Sequence, residues 1–303
     1  MITALNIVKQ FGDKVALDRL NCSIPEGCVY GLVGSNGSGK STLLRLISGI
    51  YRPESGSVTI DGKPVYDNPD VKKRIAFVPD ELFFLPHANL KRMAQLYASV
   101  YENFSHERFA TLLADFAFDP NANIATFSKG MKRQAATILA LSCSTDIYLF
   151  DETFDGLDPV MRNLVKNLLY REVLENKATV VITSHSLREL EDTCDQLALL
   201  HKGGIIFSSD VDHLKTSLFK IQVAFSDDYG RDRFKGIEIL SYAKHGSVAS
   251  LIVRGDREET EAKIRAMEPV LFEVLPLSLE EVFVYEMGQL GYEFSEVLKQ
   301  EVQ

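Results

Sequence analysis

The chain has 303 residues, 46% hydrophobic and 25% charged, with a net charge of −9, the profile of a globular protein with room for one large domain and one small one. The acidic balance excludes a general nucleic-acid binder, whose footprint would be basic, and Lys72-Lys73-Arg74 reads as a solvated face. No apolar run approaches the ~18–20 residues of a bilayer span, MITALNIVKQFGDK carries no signal-peptide pattern, and Cys22, Cys28, Cys143 and Cys194 have no metal spacing, so they read as reduced thiols of a cytosolic protein.

In chain order, ALNIVKQF and VALDRLNCSI read as strands, and Pro25-Glu26-Gly27 as a turn. Val29–Val33 is apolar throughout, as in a buried strand, and it runs into G-x-x-x-x-G-K-S at Gly34 to Ser41. Leu43, Leu44, Leu46 and Ile47 then follow a helical spacing that stops at Gly49. Strand, glycine loop and helix form the context in which this motif holds phosphate. The backbone N–H groups of Gly34, Ser35, Asn36, Gly37, Ser38 and Gly39 turn inward, the helix N-terminus favours an anion, Lys40 reaches the β- and γ-phosphates, and Ser41, followed by Thr42, offers a hydroxyl to Mg²⁺.

GSVTIDGKPV is a hairpin around Asp61-Gly62, and RIAFVPD a buried strand ended by Pro79. From Asn89 to Asp115 the pattern turns helical, with Met93, Leu96, Tyr97 and Val100 and then Phe109, Leu112, Leu113 and Phe116 on apolar stripes. This block, about 84–143, reads as an inserted helical subdomain. DIYLFDE and ATVVITSH are continuous apolar strands of the fully buried parallel kind, separated by a helix over Val160–Asn176. Asp151 at the end of the first is placed to hold Mg²⁺ beside the phosphate loop; Glu152 is placed to accept a proton from an attacking water. After about Ser217 come three alternating strands, the helical DREETEAKIRAM, the strand VLFEVLPL and the helical SLEEVFVYEMG. That is a small α+β domain over 216–291, joined to a core over 1–215 through Asp210–Leu218 and followed by a polar tail, 292–303.

FSKGMKRQ, residues 127–134, resembles the L-S-G-G-Q signature of the ATP-binding cassette (ABC) family, and its S-K-G-M-K spelling resembles the branch that powers bacterial ABC-2-type exporters. The resemblance implies an α/β phosphate-loop NTPase core and an ATP-hydrolysing subunit with ATP and Mg²⁺ as cofactors. It places Phe11 under adenine, Asp158 in the G-L-D loop, and His185 as the γ-phosphate sensor beside the catalytic Glu152 and Lys40. Ser128, Lys129 and Gly130, before a helix from Lys132 onward, would close on the nucleotide of a second cassette, identical or different. Asp80 stands where the family has a metal-linked glutamine, Thr153 where it has proline, and Lys129 where it has glycine. Lys129 reads equally as a γ-phosphate contact or a solvent-facing cation.

A separate transmembrane permease is implied, with the subunit cytoplasmic and peripheral on the inner face of the membrane. DELFFLPHANLKRMAQLY, with Phe83, Phe84 and Leu85, reads as the docking face or as packed core. The competing readings are a single-cassette assembly or regulatory scaffold, and a soluble GTPase or kinase. The N-K-x-D guanine motif of the latter is missing.

Overall fold

A computed structural model of the chain describes residues 1–289 and Gly291; the tail expected over 292–303 lies outside the described residues. Two compact units, Met1–Ser208 and Ser209–Gln303, divide the chain. Their boundary falls before the 215/216 junction expected from composition.

The first unit opens with β1 (Ile2–Phe11) and β2 (Lys14–Ile24), an antiparallel pair turned by Gly12 at φ 59°. Their inward residues, among them Ile7, Leu17 and Leu20, join one core. β3 (Val29–Val33) is buried along its whole length and feeds the glycine loop and α1 (Lys40–Ile47). β4 (Ser55–Ile60) and β5 (Lys63–Pro64) form the hairpin expected around Asp61-Gly62, both at positive φ, and complete a sheet ordered β2-β1-β4-β5. α2 (Pro69–Lys72) leads to β6 (Ile75–Val78).

The helical block contains α3 (Leu90–Val100), α4 (His106–Asp115) and α5 (Lys129–Ser142). Asn89, Ser105 and Ser128 cap their N-termini by accepting from Arg92 N, Arg108 N and Met131 N. The third cap corrects the expected helix start at Lys132: Lys129 and Gly130 already lie in the first turn.

β7 (Ile147–Phe150), α6 (Pro159–Asn176), β8 (Thr179–Ser184), α7 (Leu187–Glu191), β9 (Gln196–His201) and β10 (Gly204–Asp210) follow. The second sheet is ordered β10-β9-β3-β8-β7-β6. Its β6–β7, β7–β8, β8–β3 and β3–β9 pairs are all parallel. Their C-terminal ends share one edge, where Val78 pairs with Phe150 and Val33 with Ser184. Ligands of open parallel sheets bind at that edge. A buried polar tie joins α4 of the helical block to α6 and β7 of the core. Glu172 of α6, almost wholly buried, accepts from Arg108 of α4, Tyr148 OH and Asn176 Nδ2.

The second unit comprises α8 (Val211–Ser217), β11 (Leu218–Ala224), β12 (Glu238–His245), β13 (Val248–Arg254), α9 (Arg257–Arg265), β14 (Leu271–Leu275) and α10 (Leu279–Gln289). Its antiparallel sheet runs β12-β13-β11-β14. Phe219, Ile221, Val223, Leu251, Val253 and Ile264 of α9 build a separate core. The segment expected to be a bare connection is helix α8, because Val211 and Leu214 are apolar enough to bury.

Candidate active site

The loop after β3 is held by its own backbone. Gly34 N donates to Ser184 O at 3.3 Å, Ser38 N to Ser35 O at 3.1 Å, and Gly203 N to Ser38 O at 3.0 Å. Gly34 has no space for a side chain, since a Cβ there would stand 2.3 Å from Leu200 O. Gly39 has neither the space nor the conformation: φ is +115° and a Cβ would lie 2.7 Å from Ala16 O. Lys40, buried, folds back over the loop, with Nζ donating to Gly34 O at 2.7 Å and Ser35 O at 3.3 Å.

A cleft of about 230 Å³ opens over this loop. It is lined by Asn36, Gly37 and Gly39–Thr42, by Phe11, Lys14 and Ala16 of the first hairpin, and by Asp80 and Glu152. Phe11 is 45% exposed, so it is no core residue. Tyr51, which the sequence reading missed, meets its ring edge-on at 5.3 Å. Lys9 Nζ lies 5.3 Å from the same ring.

The acidic pair follows β7. Asp151 is fully buried; its Oδ1 accepts from Thr183 Oγ1 at 2.7 Å, while Oδ2 has no partner among the described residues. A buried, unpaired carboxylate oxygen is costly and calls for a cation or a donor. Ser41 lines the cleft, and a hydroxyl and a carboxylate are hard-oxygen donors of the kind magnesium prefers, although Asp151 itself does not line it. No group of three or more His, Cys, Asp or Glu suited to a metal occurs among the described residues. Phosphate and water would therefore supply the remaining ligands.

Glu152 has φ +51°, a left-handed conformation that costs a bulky residue about 1–3 kcal/mol and persists only where its surroundings fix it. Its N–H donates to Thr183 Oγ1 at 2.9 Å. Its carboxylate lies between Lys40 and His185, with Oε1 3.2 Å from Lys40 Nζ and Oε2 3.0 Å from His185 Nδ1. The three residues expected to act together are thus adjacent.

Asp80, expected as a metal ligand, lines the cleft, but its Oδ1 is taken by Arg133 Nη2 at 2.5 Å. Lys129 Nζ pairs with Asp155 Oδ2 at 2.6 Å, and its ammonium holds the Asp155 carboxyl below the usual range. Ser128 and Lys129 are exposed. Gly130 packs on the G-L-D turn, where a Cβ would meet Gly156 O at 2.6 Å. The Asp158 side chain caps α6, accepting from Val160 N and Met161 N at 3.0 Å. None of these four lines the cleft. Arg133 and Thr183 had no part in the sequence reading; Arg133 stands between Lys132 and Gln134 in the polar start of α5, where nothing local marks it for burial.

A glycine loop between a buried strand and a helix, facing an acidic strand end on the same sheet edge, defines a phosphate-loop nucleotide hydrolase. The ABC transporter family profile matches residues 17–155. The ABC transporter ATP-binding protein YtrB of Bacillus subtilis (strain 168) is 30% identical over 95% of this chain and 98% of its own length. The Nod factor export ATP-binding protein I of Burkholderia lata is 28% identical over 94% and 96%. Among solved structures, the ATP-binding subunit of an ABC transporter covers 71% of this chain and 92% of its own at TM-score 0.65 and 24% identity. A dimeric bacterial ABC transporter cassette covers 70% and 99% at TM-score 0.64 and 25% identity. The chain belongs to the ABC transporter ATP-binding proteins, a family of ATPases.

Proposed function

We propose that the chain is the nucleotide-binding subunit of an ABC exporter, which pairs with a second cassette around ATP and magnesium and drives a separate membrane subunit. The observation that carries this reading is the Glu152 carboxylate lying between Lys40 and His185 at the mouth of the phosphate loop. Phe11 offers its exposed ring to adenine, and the loop N–H groups and Lys40 hold the β- and γ-phosphates. Glu152 takes the proton of the attacking water, and His185 orients that carboxylate through Nδ1. Ser41 Oγ and Asp151 Oδ2 are the side-chain oxygens that would hold magnesium, whose chemistry is to neutralise phosphate charge as the bond breaks.

The exposed Ser128–Lys129 turn, at the N-terminus of the 14-residue α5, presents N–H groups to a γ-phosphate held by the other cassette. Cleavage removes the anion shared across the two subunits, and the pair loosens. No helix of the described residues is long and apolar enough to cross a membrane, so transport needs a membrane partner. Phe83, 75% exposed, is the foremost docking residue. The export direction follows the Nod factor export relative.

The test is Glu152→Gln. It should keep ATP affinity, lose turnover by about 10²–10⁴-fold and hold a persistent dimer in light scattering with saturating Mg-ATP. Normal turnover removes Glu152 from its role, and single chains alone, with any partner cassette supplied, remove the sandwich.

A further inference from the structure

Arg133 is the largest wholly buried side chain among the described residues. A guanidinium keeps its proton at any physiological pH, so its burial requires acceptors and a counter-ion. Nη1 donates to the carbonyl oxygen of Asp151 at 3.2 Å, and Nη2 to Asp80 Oδ1 at 2.5 Å. Asp155 Oδ2 is 3.9 Å from Nη2 and already pairs with Lys129 at 2.6 Å. Asp80 is therefore the principal counter-ion.

The carbonyl held by Arg133 belongs to the peptide unit that joins Asp151 to Glu152. The N–H of that same unit donates to Thr183 Oγ1. The unit is gripped from α5 on one side and from β8 on the other, immediately before the left-handed turn that aims Glu152. Asp80 also lines both the nucleotide cleft and a neighbouring cavity of about 250 Å³ formed with Leu82, Lys129, Lys132 and Arg133. It is half exposed, whereas Arg133 is sealed.

We infer that Arg133 is a positioning residue for hydrolysis, clamping the Asp151–Glu152 peptide so that Glu152 is aimed at the attacking water, and that Asp80 serves as its counter-ion and not as a magnesium ligand. The inference rests on the proposed role of Glu152.

ATPase kinetics of the full chain, with a partner cassette where turnover needs one, test it through Arg133→Gln, Asp80→Asn and the double variant. Because misplacement of a catalytic group by about 1 Å costs up to about 10²-fold, Arg133→Gln should lower kcat on that order while the KM for ATP holds. Asp80→Asn, which keeps a side-chain oxygen for Arg133 Nη2 but removes the charge, should lower kcat in the same sense without raising the magnesium concentration for half-maximal rate, with a folded chain confirmed by circular dichroism. With Arg133 already replaced, Asp80→Asn should cost nothing further, since its partner is gone. Amide exchange at Glu152 should accelerate in Arg133→Gln.

The inference is overturned by full kcat in Arg133→Gln, by equal effects of Asp80→Asn with and without Arg133, or by a raised magnesium requirement in Asp80→Asn. If Glu152→Gln turns over normally, the reading of Glu152 fails by itself. Unchanged amide exchange in Arg133→Gln separately defeats the clamp.

Discussion

Lys40 shows how a few atoms set the chemistry of this site. Its ammonium is held by two loop carbonyls and the Glu152 carboxylate in a buried pocket, an arrangement that triphosphate oxygens can take over at little geometric cost. Lys40→Ala should abolish high-affinity nucleotide binding, measured with a fluorescent ATP analogue; unchanged affinity would refute the loop assignment. Gly39→Ala should be as damaging by another route, because it adds a Cβ against Ala16 O at a φ of +115°. Residues marked by a local pattern were legible in advance: the glycine loop, the Asp151-Glu152 pair and His185 all follow apolar strands that announce them. Arg133 was not, since its partners Asp80 and Asp151 stand 53 and 18 positions away and meet it only in the folded chain. Tyr51 was hidden in the same way, being brought to Phe11 by the pairing of β1 with β4.

Among the elements, the buried parallel strands were the easiest to read, because burial on both faces leaves an unbroken apolar run. The hairpin of β9 and β10 went unread although Lys202-Gly203-Gly204 separates its two apolar runs, with positive φ at the first two. α8 was taken for a connection because a seven-residue helix shows too few turns for a periodic pattern. Helix starts are the most local feature and so the most open to test. Removing the α6 cap by Asp158→Ala should cost about 1 kcal/mol in urea unfolding. Glu172→Ala should cost about 3 kcal/mol, at the low end for a broken buried pair because Arg108 retains some exposure. A loss below 1 kcal/mol would mean that the tie between α4 and α6 contributes little.

At the scale of the whole molecule, two cores built from separate sets of residues imply two cooperative units. Calorimetry should then resolve two transitions, and Mg-ATP should raise the one that belongs to residues 1–208, by about 2.7 kcal/mol of stabilisation at a hundredfold excess over Kd. One transition shifting as a whole would instead make the chain a single cooperative block. The motifs that carry nucleotide chemistry lie in the first unit, which is why the second was legible as a fold and silent as to purpose.

The order β3-β8-β7-β6 has a mechanical corollary. The phosphate loop, His185, Glu152 and Asp80 hang from four neighbouring rungs of one ladder, each about 4.8 Å from the next. That framework works as an anvil, fixing the spacing of the reacting groups whatever nucleotide lies on it. Any stroke delivered to a membrane partner must travel through chain that is not stitched into those rungs. Between two of those rungs the longest such piece is the block of α3, α4 and α5, inserted between β6 and β7.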